Sequence, residues 1–277
     1  MKKAKLIGDS GGTKTDWVLI DEFNSCHFFS TESYHPHLVS EDWIQEKHSF
    51  WAEYTQNYEL EVYFFGAGCL QLIYQEKMQD AFRSWGISDC TVKSDLLAAH
   101  LACAGDDDGY VAILGTGSVI AKIEQNEIHE IVGGLGYLIG DEGSGYFFGK
   151  RLLEKLLKRE FSDELSSELH NMLGDKEAIM KALYVPTGKS FVSSLALTTS
   201  QIKSEELLAL HKENIEEFAR LYLPKKSSIN EINVVGSYGF SQEDLVREIC
   251  LKHGWKVKKQ LEKPMQELAK YFMKSAF

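Results

Sequence analysis

Apolar and polar positions in the first hundred residues alternate between a strand pattern and a helix pattern. Apolar and β-branched runs separated by glycine and polar clusters predict a meander of three strands, at 4–8, 15–21 and 26–31. After it the pattern predicts a helix at about 41–54, a strand "VYFFGAG" from Val62, a helix at about 70–85, and a strand "CTVKS" that leads into "DLLAAHLACAG". Strands that alternate with helices in this way indicate an α/β sheet.

The opening pattern recurs from Tyr110. The stretch "YVAILGTGSVIAKIEQNEIHEIVGG" again reads as an apolar strand, a small polar turn, an apolar strand, and a third short strand at 128–132. The two meanders lie about 105 residues apart, as expected for a repeated structural unit. We therefore predict two similar domains, each of which opens with a glycine-rich hairpin.

Helices dominate after Gly143. The pattern predicts them in "YFFGKRLLEKLLKRE" and at about 164–173, 176–183 and 204–223. A strand "INVVGS", a helix "SQEDLVREICLKHG", a strand "WKVKK" and a closing helix from Pro264 complete the chain. Proline suits the first turn of that helix, and the apolar residues after it form one stripe: Met265, Leu268, Ala269 and Phe272.

Composition and charge narrow the class of protein. The 277 residues exceed the usual size of one domain, which supports two domains. The net charge of −11 disfavours nucleic acid as a partner. The five cysteines lie at least 13 positions apart, so no zinc or redox spacing is present. Because no apolar run suits a signal peptide or a membrane span, we expect a cytoplasmic protein without membrane association.

The stretch "DSGGTKT" has two readings. It is either a plain hairpin turn or a loop that holds phosphate, because glycine leaves main-chain N–H groups open to an anion and the threonines and lysine add donors. The second hairpin, "GTGS", has the same small and hydroxyl residues, and two such loops favour phosphate binding. The candidate residues are Gly11, Gly12, Thr13, Lys14 and Thr15 in the first, and Gly115, Thr116, Gly117 and Ser118 in the second.

Two other glycine motifs do not predict nucleotide binding. The end of a P-loop is present in "PTGKS" at 186–190, but Leu183 stands where its leading glycine belongs. The stretch "GGLGYLIGDEGSGYFFG" offers no G-x-G-x-x-G after a strand, which disfavours a dinucleotide fold.

Five segments in order resemble the N-acetylglucosamine kinase family: "DSGGTKT", "SDLLAAHLACAGDDDGYVAILGTGS", "GGLGYLIGDEGSGYFFG", "NVVGS" and "KPMQELAKYF". That family is grouped with activator ATPases of benzoyl-CoA reductase-type enzymes, within the superfamily of sugar kinases, heat-shock chaperones and actin. The resemblance implies an α/β fold of two ribonuclease H-like domains, each a mixed five-stranded sheet flanked by helices, with ATP and substrate in the interdomain cleft. The expected domains are 1–105, joined by the closing helix 264–277, and 106–263 with a helical insertion.

The resemblance also implies how ATP and Mg²⁺ are held. Both hairpins look like phosphate loops, and Asp9 approaches Mg²⁺ through water. Gly236 and Ser237, after the late strand, look like the adenosine contact.

Asp95 is the candidate catalytic residue. It lies where the strand "CTVK" gives way to a helix, so its carboxylate either points into a crevice and accepts the proton of the attacking hydroxyl, or caps the helix. Position alone does not separate these two roles. Its place in the family-like segment "SD…A" favours catalysis.

The substrate contacts follow from the resemblance as well. The implied residues are His35, Gly68, Thr116, Gly134, Leu135 and Asp141. Related chains often carry an aromatic residue where Leu135 stands and an Asn where His35 stands, so the contacts to the sugar differ here. A metal site at His35 and His37 is disfavoured, because no third ligand is evident.

The predicted function is ATP-dependent phosphoryl transfer to a hydroxyl of an amino sugar, with N-acetylglucosamine as the leading substrate. Two alternatives stay open at this point: an activator ATPase that holds an iron–sulfur cluster at a dimer interface, and a non-catalytic sugar-binding or regulatory member of the same fold. We expect a homodimer.

Overall fold

The computed structural model describes residues 1–225 and 227–274. The chain divides into two compact units. The first unit contains Met1–Asp107, Gln125–Glu127 and the chain from Lys263, and the second contains Asp108–Glu124 and Ile128–Glu262.

Among the residues that the structure describes, ten strands form two five-stranded sheets. They are β1 (Lys2–Ser10), β2 (Lys14–Asp21), β3 (Cys26–Glu32), β4 (Tyr58–Gly66), β5 (Asp89–Ser94), β6 (Gly109–Leu114), β7 (Ser118–Glu124), β8 (Glu127–Gly133), β9 (Glu231–Val235) and β10 (Lys256–Leu261). The strand orders are β3-β2-β1-β4-β5 and β10-β9-β6-β7-β8. Each central strand pairs antiparallel with the strand after it and parallel with a later one, so the two sheets share one mixed topology.

Eleven helices are assigned in the part of the chain that the structure describes. They are α1 (Glu41–Asn57), α2 (Leu72–Ser84), α3 (Asp95–Ala104), α4 (Gly145–Leu157), α5 (Asp163–Leu173), α6 (Lys176–Leu183), α7 (Gly188–Thr198), α8 (Glu205–Tyr222), α9 (Ser237–Ser241), α10 (Glu243–Lys252) and α11 (Met265–Phe272). No helix among these described residues is long and apolar enough to cross a membrane.

Packing of the helices completes each unit. The closing helix α11 packs against α3, β1 and β2, and it buries the predicted stripe of Met265, Leu268, Ala269 and Phe272. The core of the first unit is strongly aromatic around Trp17 and Trp51, whereas the core of the second is mostly aliphatic around Ile120 and Leu152. Two five-stranded mixed sheets flanked by helices confirm the predicted α/β fold class.

The pattern of apolar residues did not predict α7. This helix begins at Gly188, so the "GKS" of the rejected P-loop motif forms its first turn. It packs closely on α4, where a Cβ at Gly149 would overlap the carbonyl of Val192 and a Cβ at Gly145 would lie 3.1 Å from the carbonyl oxygen of Ser193. The helix is therefore stabilised by a tertiary contact rather than by its own β-branched and serine-rich sequence.

In the first unit, three parallel strands end at the same edge of the sheet. Ser10 of β1 lies opposite Gly66 of β4, and Gly66 lies opposite Ser94 of β5. Ligands bind at the carboxyl ends of parallel strands in α/β sheets. This register places Asp9 and Asp95 at the ends of β1 and β5, on either side of β4, although they are 86 positions apart in the sequence.

Candidate functional sites of the two units

The first hairpin joins β1 to β2 with an exposed loop. Gly11, Gly12, Thr13 and Lys14 face solvent, and the Gly11 N–H donates to the Lys14 carbonyl at 3.0 Å. Neither glycine has a positive φ, and a Cβ added to either would meet no atom within 4 Å. The folded chain alone therefore does not require glycine here, whereas an anion that approaches the main-chain N–H groups closely would.

The base of this hairpin is a buried hydroxyl network. The Ser10 and Thr15 hydroxyls lie 2.7 Å apart, Ser10 donates to the carbonyl of Tyr34 at 2.8 Å, and the Tyr34 N–H donates to Thr15 Oγ1 at 3.0 Å. Thr15 is fully buried, so its hydroxyl supports the loop from within. The network also fixes the backbone just before His35.

Asp16 holds the lysine of the same hairpin. Lys14 Nζ lies 2.6 Å from Asp16 Oδ1, and the Ser30 hydroxyl donates to that oxygen at 2.5 Å. Burial by itself raises the pKa of Asp16, but the bonds from Lys14 and Ser30 bring it below its ordinary value. Asp16 is therefore an ionised partner of Lys14.

Asp9 and Asp95 form an acidic pair at the strand ends. Burial, followed by the charges of Asp95 and Asp16, raises the pKa of Asp9 to about 8, and Lys14 acts in the opposite direction. Burial also raises the pKa of Asp95, which the Ser94 hydroxyl and the Leu96 N–H partly offset. Two half-buried carboxylates that repel each other are an arrangement typical of catalytic and metal sites.

Asp95 lies beside the N-cap residue at the start of α3. Ser94 is the N-cap of α3, and its side chain accepts from the Leu96 N–H at 3.3 Å. Asp95 occupies the first helical position, where its Oδ1 accepts from the Ser94 hydroxyl and the Leu96 N–H, both at 3.0 Å. The capping role thus belongs to Ser94, and the bonds of Asp95 orient its carboxylate at the end of β5.

His35 and Gly68 are in contact in the first unit. The His37 N–H lies 3.2 Å from His35 Nδ1, so the proton of a neutral ring is on Nε2. Gly68 has a φ of 82°, and a Cβ there would lie 2.6 Å from His35 Nε2, so only glycine fits beside this ring. The ring stacks on His37, and no cluster of three metal-binding side chains occurs among the described residues.

The second hairpin, between β6 and β7, is closed by a different set of hydrogen bonds. The Gly115 N–H donates to the Gly117 carbonyl at 3.0 Å, and a Cβ on Gly115 would meet no atom within 4 Å. Ser118 is buried, and its hydroxyl donates to the Glu142 carbonyl at 2.6 Å. Its main-chain N–H donates to Asp141 Oδ1 at 3.3 Å. Ser118 therefore joins the hairpin to residues 141–144, named here the acidic turn.

The acidic turn presents Asp141 to the second hairpin. Asp141 has a φ of 66°, and its carboxylate oxygen lies 3.0 Å from where a Cβ of Gly117 would be. Burial raises the pKa of Asp141, with the Ser118 N–H and Lys189 acting in the opposite direction. Lys189 also lies over the ring of Tyr137, 5.0 Å from its centre. A side chain at position 117 would therefore lie in tight contact with this carboxylate.

Gly236 lies against the second hairpin. Its φ is 125°, and a Cβ there would lie 2.5 Å from the Leu114 carbonyl oxygen and 2.9 Å from the Gly115 nitrogen. Only glycine allows this approach. Ser237 then begins α9, so the two residues expected at adenosine adjoin the hairpin expected at phosphate.

Gly134 and Leu135 lie on the other side of the same hairpin. The Gly134 N–H donates to the Ser118 carbonyl at 3.1 Å. Leu135 is 59% exposed, and Leu138 and Ile139 of the same loop are more exposed still. The main-chain carbonyl of Thr116 accepts from the Tyr146 N–H at 3.4 Å. The Thr116 side chain takes no part in this bond.

The structure therefore gathers the predicted residues into one group per unit. The first group is Asp9, Gly11, Gly12, Thr13, Lys14, Thr15, His35, Gly68 and Asp95, and the second is Gly115, Thr116, Gly117, Ser118, Gly134, Leu135, Asp141, Gly236 and Ser237. Thr15 and Ser118 differ from the others because their buried hydroxyls bond to the protein. We assign them to holding the loops in shape.

Sequence reasoning missed the polar residues behind these groups. They are Ser10, Asp16 and Tyr34 in the first unit and His211, Asn214, Tyr222 and Tyr238 in the second. The available signal was a polar residue on an apolar helix face, because His211 and Asn214 fall among the buried positions of α8. Buried polar groups are expected to have partners.

Comparison with known proteins confirms the resemblance. No protein-family model matches the chain. N-acetyl-D-glucosamine kinase from Dictyostelium discoideum is 27% identical over 74% of this chain and 74% of its own. A solved structure of a candidate N-acetylglucosamine kinase from Porphyromonas gingivalis is 26% identical, with a TM-score of 0.87, and the match covers 98% of this chain and 99% of that one.

A third match shows the fold alone. A ROK-family glucokinase from Streptomyces griseus, solved with glucose and AMPPNP, matches at 17% identity and a TM-score of 0.52 over 97% of each chain. The chain thus has the ribonuclease H-like, actin-like fold found in sugar kinases.

Proposed function

We propose that the protein transfers the γ-phosphoryl group of ATP to a hydroxyl of an amino sugar, with N-acetylglucosamine as the leading substrate. The observation that carries this proposal is the Asp9–Asp95 pair at the ends of β1 and β5, in a chain that resembles N-acetylglucosamine kinases. The first and second units then correspond to the two domains of such a kinase, with boundaries near residues 105 and 263.

Asp95 is proposed to accept the proton of the attacking hydroxyl. The oxygen of the sugar forms a bond to the γ-phosphorus, the bond from that phosphorus to the β–γ bridging oxygen breaks, and the hydroxyl proton passes to the Asp95 carboxylate. Bonds from the Ser94 hydroxyl and the Leu96 N–H hold Asp95 Oδ1 in place. A fixed carboxylate reduces the entropy cost of reaching the reactive geometry.

The residues around Asp9 fit a divalent cation. Asp9 carries a raised pKa because it is buried near two other carboxylates, so a nearby cation would stabilise its ionised form. Mg²⁺ usually binds one or two carboxylates together with substrate phosphates and water, which agrees with a single Asp rather than a full set of protein ligands. When bound, Mg²⁺ would supply charge neutralisation at the phosphates.

The two glycine hairpins are proposed to hold the phosphates through main-chain N–H groups. At Gly11, Gly12 and Gly115 a Cβ would meet only open space, so the backbone of each loop is accessible to a ligand. Thr13 and Lys14 add an exposed hydroxyl and an exposed ammonium beside the first loop. Gly236 and Ser237 are the proposed adenosine contacts.

Each unit carries polar groups that are proposed as sugar contacts. In the first unit, Nε2–H of His35 is a donor for a sugar oxygen, beside the backbone of Gly68. In the second unit, the Asp141 carboxylate accepts from sugar hydroxyls, near Thr116, Gly134 and Leu135. A carboxylate and a ring N–H are complementary to hydroxyl and carbonyl groups, as an N-acetylated sugar offers.

The test is ADP release measured with a coupled assay over N-acetylglucosamine, N-acetylmuramic acid, glucosamine and glucose. We expect N-acetylglucosamine to accelerate release most, and Asp95→Asn to reduce that rate by about 10³-fold while nucleotide affinity stays within about threefold. The matched control is Asp163→Asn, because Asp163 also follows a serine N-cap at the first position of a helix, and is exposed. The control should retain the wild-type rate.

Two outcomes would contradict the proposal. ATP hydrolysis that no sugar accelerates, in protein that carries iron after anaerobic purification, would favour an activator ATPase. Sugar and ATP binding without ADP release would favour a regulatory protein. The expected homodimer stays a prediction that analytical ultracentrifugation can check.

A further inference from the structure

One stripe of α8 faces the acidic turn. It consists of His211, Asn214, Phe218 and Tyr222, which are spaced three or four positions apart and therefore lie on the same side of the helix. Tyr222 donates to a carboxylate oxygen of Glu142, and the Phe218 ring carbons fill the space where a Cβ of Gly143 would be. The stripe belongs to the buried face of α8, so its polar members need hydrogen-bond partners.

Asn214 makes hydrogen bonds with both ends of its amide. Its Oδ1 accepts from the Gly143 N–H at 2.7 Å, and its Nδ2 donates to the Ser144 carbonyl at 3.1 Å. Nδ2 also donates to the Tyr238 hydroxyl at 2.9 Å. Only 2% of Asn214 is exposed, so water does not compete with these bonds.

The partners of this amide belong to the two segments with separate proposed roles. Gly143 and Ser144 lie two and three positions after Asp141, the proposed sugar contact, in the acidic turn. Tyr238 directly follows Ser237, the proposed adenosine contact, in α9. Asn214 is therefore bonded to both segments, although it lies 70 residues after the first and 24 before the second.

The hydroxyl of Tyr238 is itself held in one orientation. It accepts from Asn214 Nδ2, and it lies 3.0 Å from Nδ1 of His211, to which it can donate. The His211 ring stacks on Phe148 with 3.9 Å between ring centres. Each of the three polar side chains thus has a partner, which is the condition for a buried network that specifies one geometry.

We infer that Asn214 is a positioning residue that sets the acidic turn and the Ser237–Tyr238 segment in register, so that sugar and nucleotide bind to a pre-arranged second unit. The inference rests on the proposed function, which assigns the sugar to the acidic turn and the adenosine to the Ser237–Tyr238 segment. The amide is suited to this role because it accepts on one side and donates on the other. Leucine of similar size would do neither, and aspartate would place an oxygen against the Ser144 carbonyl.

The test compares variants by calorimetric titration with ADP and, separately, with N-acetylglucosamine. Asn214→Leu should raise the dissociation constants for both ligands at least tenfold, because the turn loses its bonds to the amide and the Tyr238 hydroxyl loses its donor. Asn214→Asp should be intermediate for the sugar, since it keeps the bond from the Gly143 N–H. Tyr238→Phe should raise only the ADP constant, by about threefold to tenfold.

The matched control is Asn233→Leu. Asn233 is also a buried asparagine of the second unit, and its Oδ1 accepts from the Lys259 N–H at 3.2 Å in the β9–β10 pair. This variant loses a comparable buried bond and should bind both ligands as the wild type does. A decrease in both affinities in Asn233→Leu would indicate a general loss of stability and would overturn the positioning role.

A double variant sharpens the inference. In Asn214→Leu/Tyr238→Phe, the ADP constant should equal that of Asn214→Leu, because both substitutions break the same link. Affinities within twofold of wild type in a folded Asn214→Leu protein would overturn the inference. If that variant does not fold, Tyr238→Phe tests the inference instead. Equal changes in sugar affinity and ADP affinity in Tyr238→Phe would contradict the inference that Asn214 holds the acidic turn and Tyr238 through separate bonds.

The experiment separates failure of the inference from failure of the proposed function. A wild-type protein that binds neither N-acetylglucosamine nor the other amino sugars contradicts the proposed substrate. The amide exchange of Gly143 and Tyr238 in the free protein tests the inference directly, because Asn214→Leu should speed exchange at both segments and Asn233→Leu at neither.

Discussion

The two units have the same strand order and open with hairpins of similar sequence, yet they hold their polar groups in different ways. In the first unit, Asp9 and Asp16 lie within the hairpin strands themselves, and Asp95 lies at the end of β5, beyond β4 on the same edge of the sheet. In the second, the strands that flank the hairpin bring no carboxylate to its loop, and Asp141 reaches it from a loop 23 positions later. The repeat thus supplies two similar backbones, and only the first carries its own charges.

The difference extends to what holds each loop. Charge dominates in the first unit, where three carboxylates and Lys14 interact. Neutral hydrogen bonds dominate in the second, where Ser118, Asn214 and Tyr238 link separate segments. We therefore expect charge changes to act mainly through the first unit and geometric changes mainly through the second.

The largest expected effect is the loss of a charge in the first unit. Asp9→Asn should lower the rate of phosphoryl transfer by roughly 100-fold or more, because it removes the proposed carboxylate for Mg²⁺. It should also raise thermal stability without Mg²⁺, since it relieves the repulsion from Asp95 and Asp16. The measurements are initial rates over a Mg²⁺ titration and thermal melts in chelator.

Asp141→Asn in the second unit is the variant to compare with Asp9→Asn in the first. Asparagine keeps an oxygen for the Ser118 N–H, so the change should raise KM for the sugar and leave the Mg²⁺ dependence unchanged. An equal shift in Mg²⁺ dependence for Asp9→Asn and Asp141→Asn would contradict the expectation that charge changes act mainly through the first unit.

The next largest effect is a difference in stability between alanine substitutions at two glycines of the second unit. Gly236→Ala should reduce the free energy of unfolding by about 2–4 kcal/mol, because its φ of 125° suits only glycine and a Cβ would overlap the Leu114 carbonyl. Gly115→Ala should change stability by less than about 0.5 kcal/mol, since its Cβ would face open space. It should nevertheless weaken ATP binding, because the added methyl group would meet the phosphates. Urea unfolding and nucleotide titration test both; a stable Gly236→Ala protein would disprove the close packing.

The smallest effect is a dependence of stability on pH in the second unit. Burial lowers the pKa of His211 to about 4, against about 6.5 in an unfolded chain. The unfolded chain binds more protons between these values, so the contribution of His211 to stability is complete above pH 6.5 and is lost as the pH falls towards 4. At pH 5 the loss is about 2 kcal/mol.

Urea unfolding of the wild type and of His211→Gln at pH 7 and pH 5 measures this loss. Glutamine does not titrate, so the difference between the two proteins should shrink at the lower pH. A difference that does not change with pH would show that the His211 ring is accessible to water in the folded protein.

Much of the fold could be predicted from local patterns. The meanders at the start of each unit follow from alternating apolar residues and glycine turns, and every predicted strand is present. The helix α7 could not be predicted, because its sequence has weak helical propensity and its stability depends on the close approach that Gly145 and Gly149 allow. Local patterns carry no information about a contact between helices 40 residues apart.

The sequence by itself determined the α/β type of each unit and the two glycine hairpins, because these depend on residue type and short spacing. Its resemblance to a kinase family pointed to Asp9 and Asp95 as candidate acids. Only the tertiary structure decided that Thr15 and Ser118 support their loops from within. It also decided that Asn214 links the acidic turn to Tyr238. Such roles depend on which distant backbone atoms a side chain meets, and strand register and helix packing set those distances.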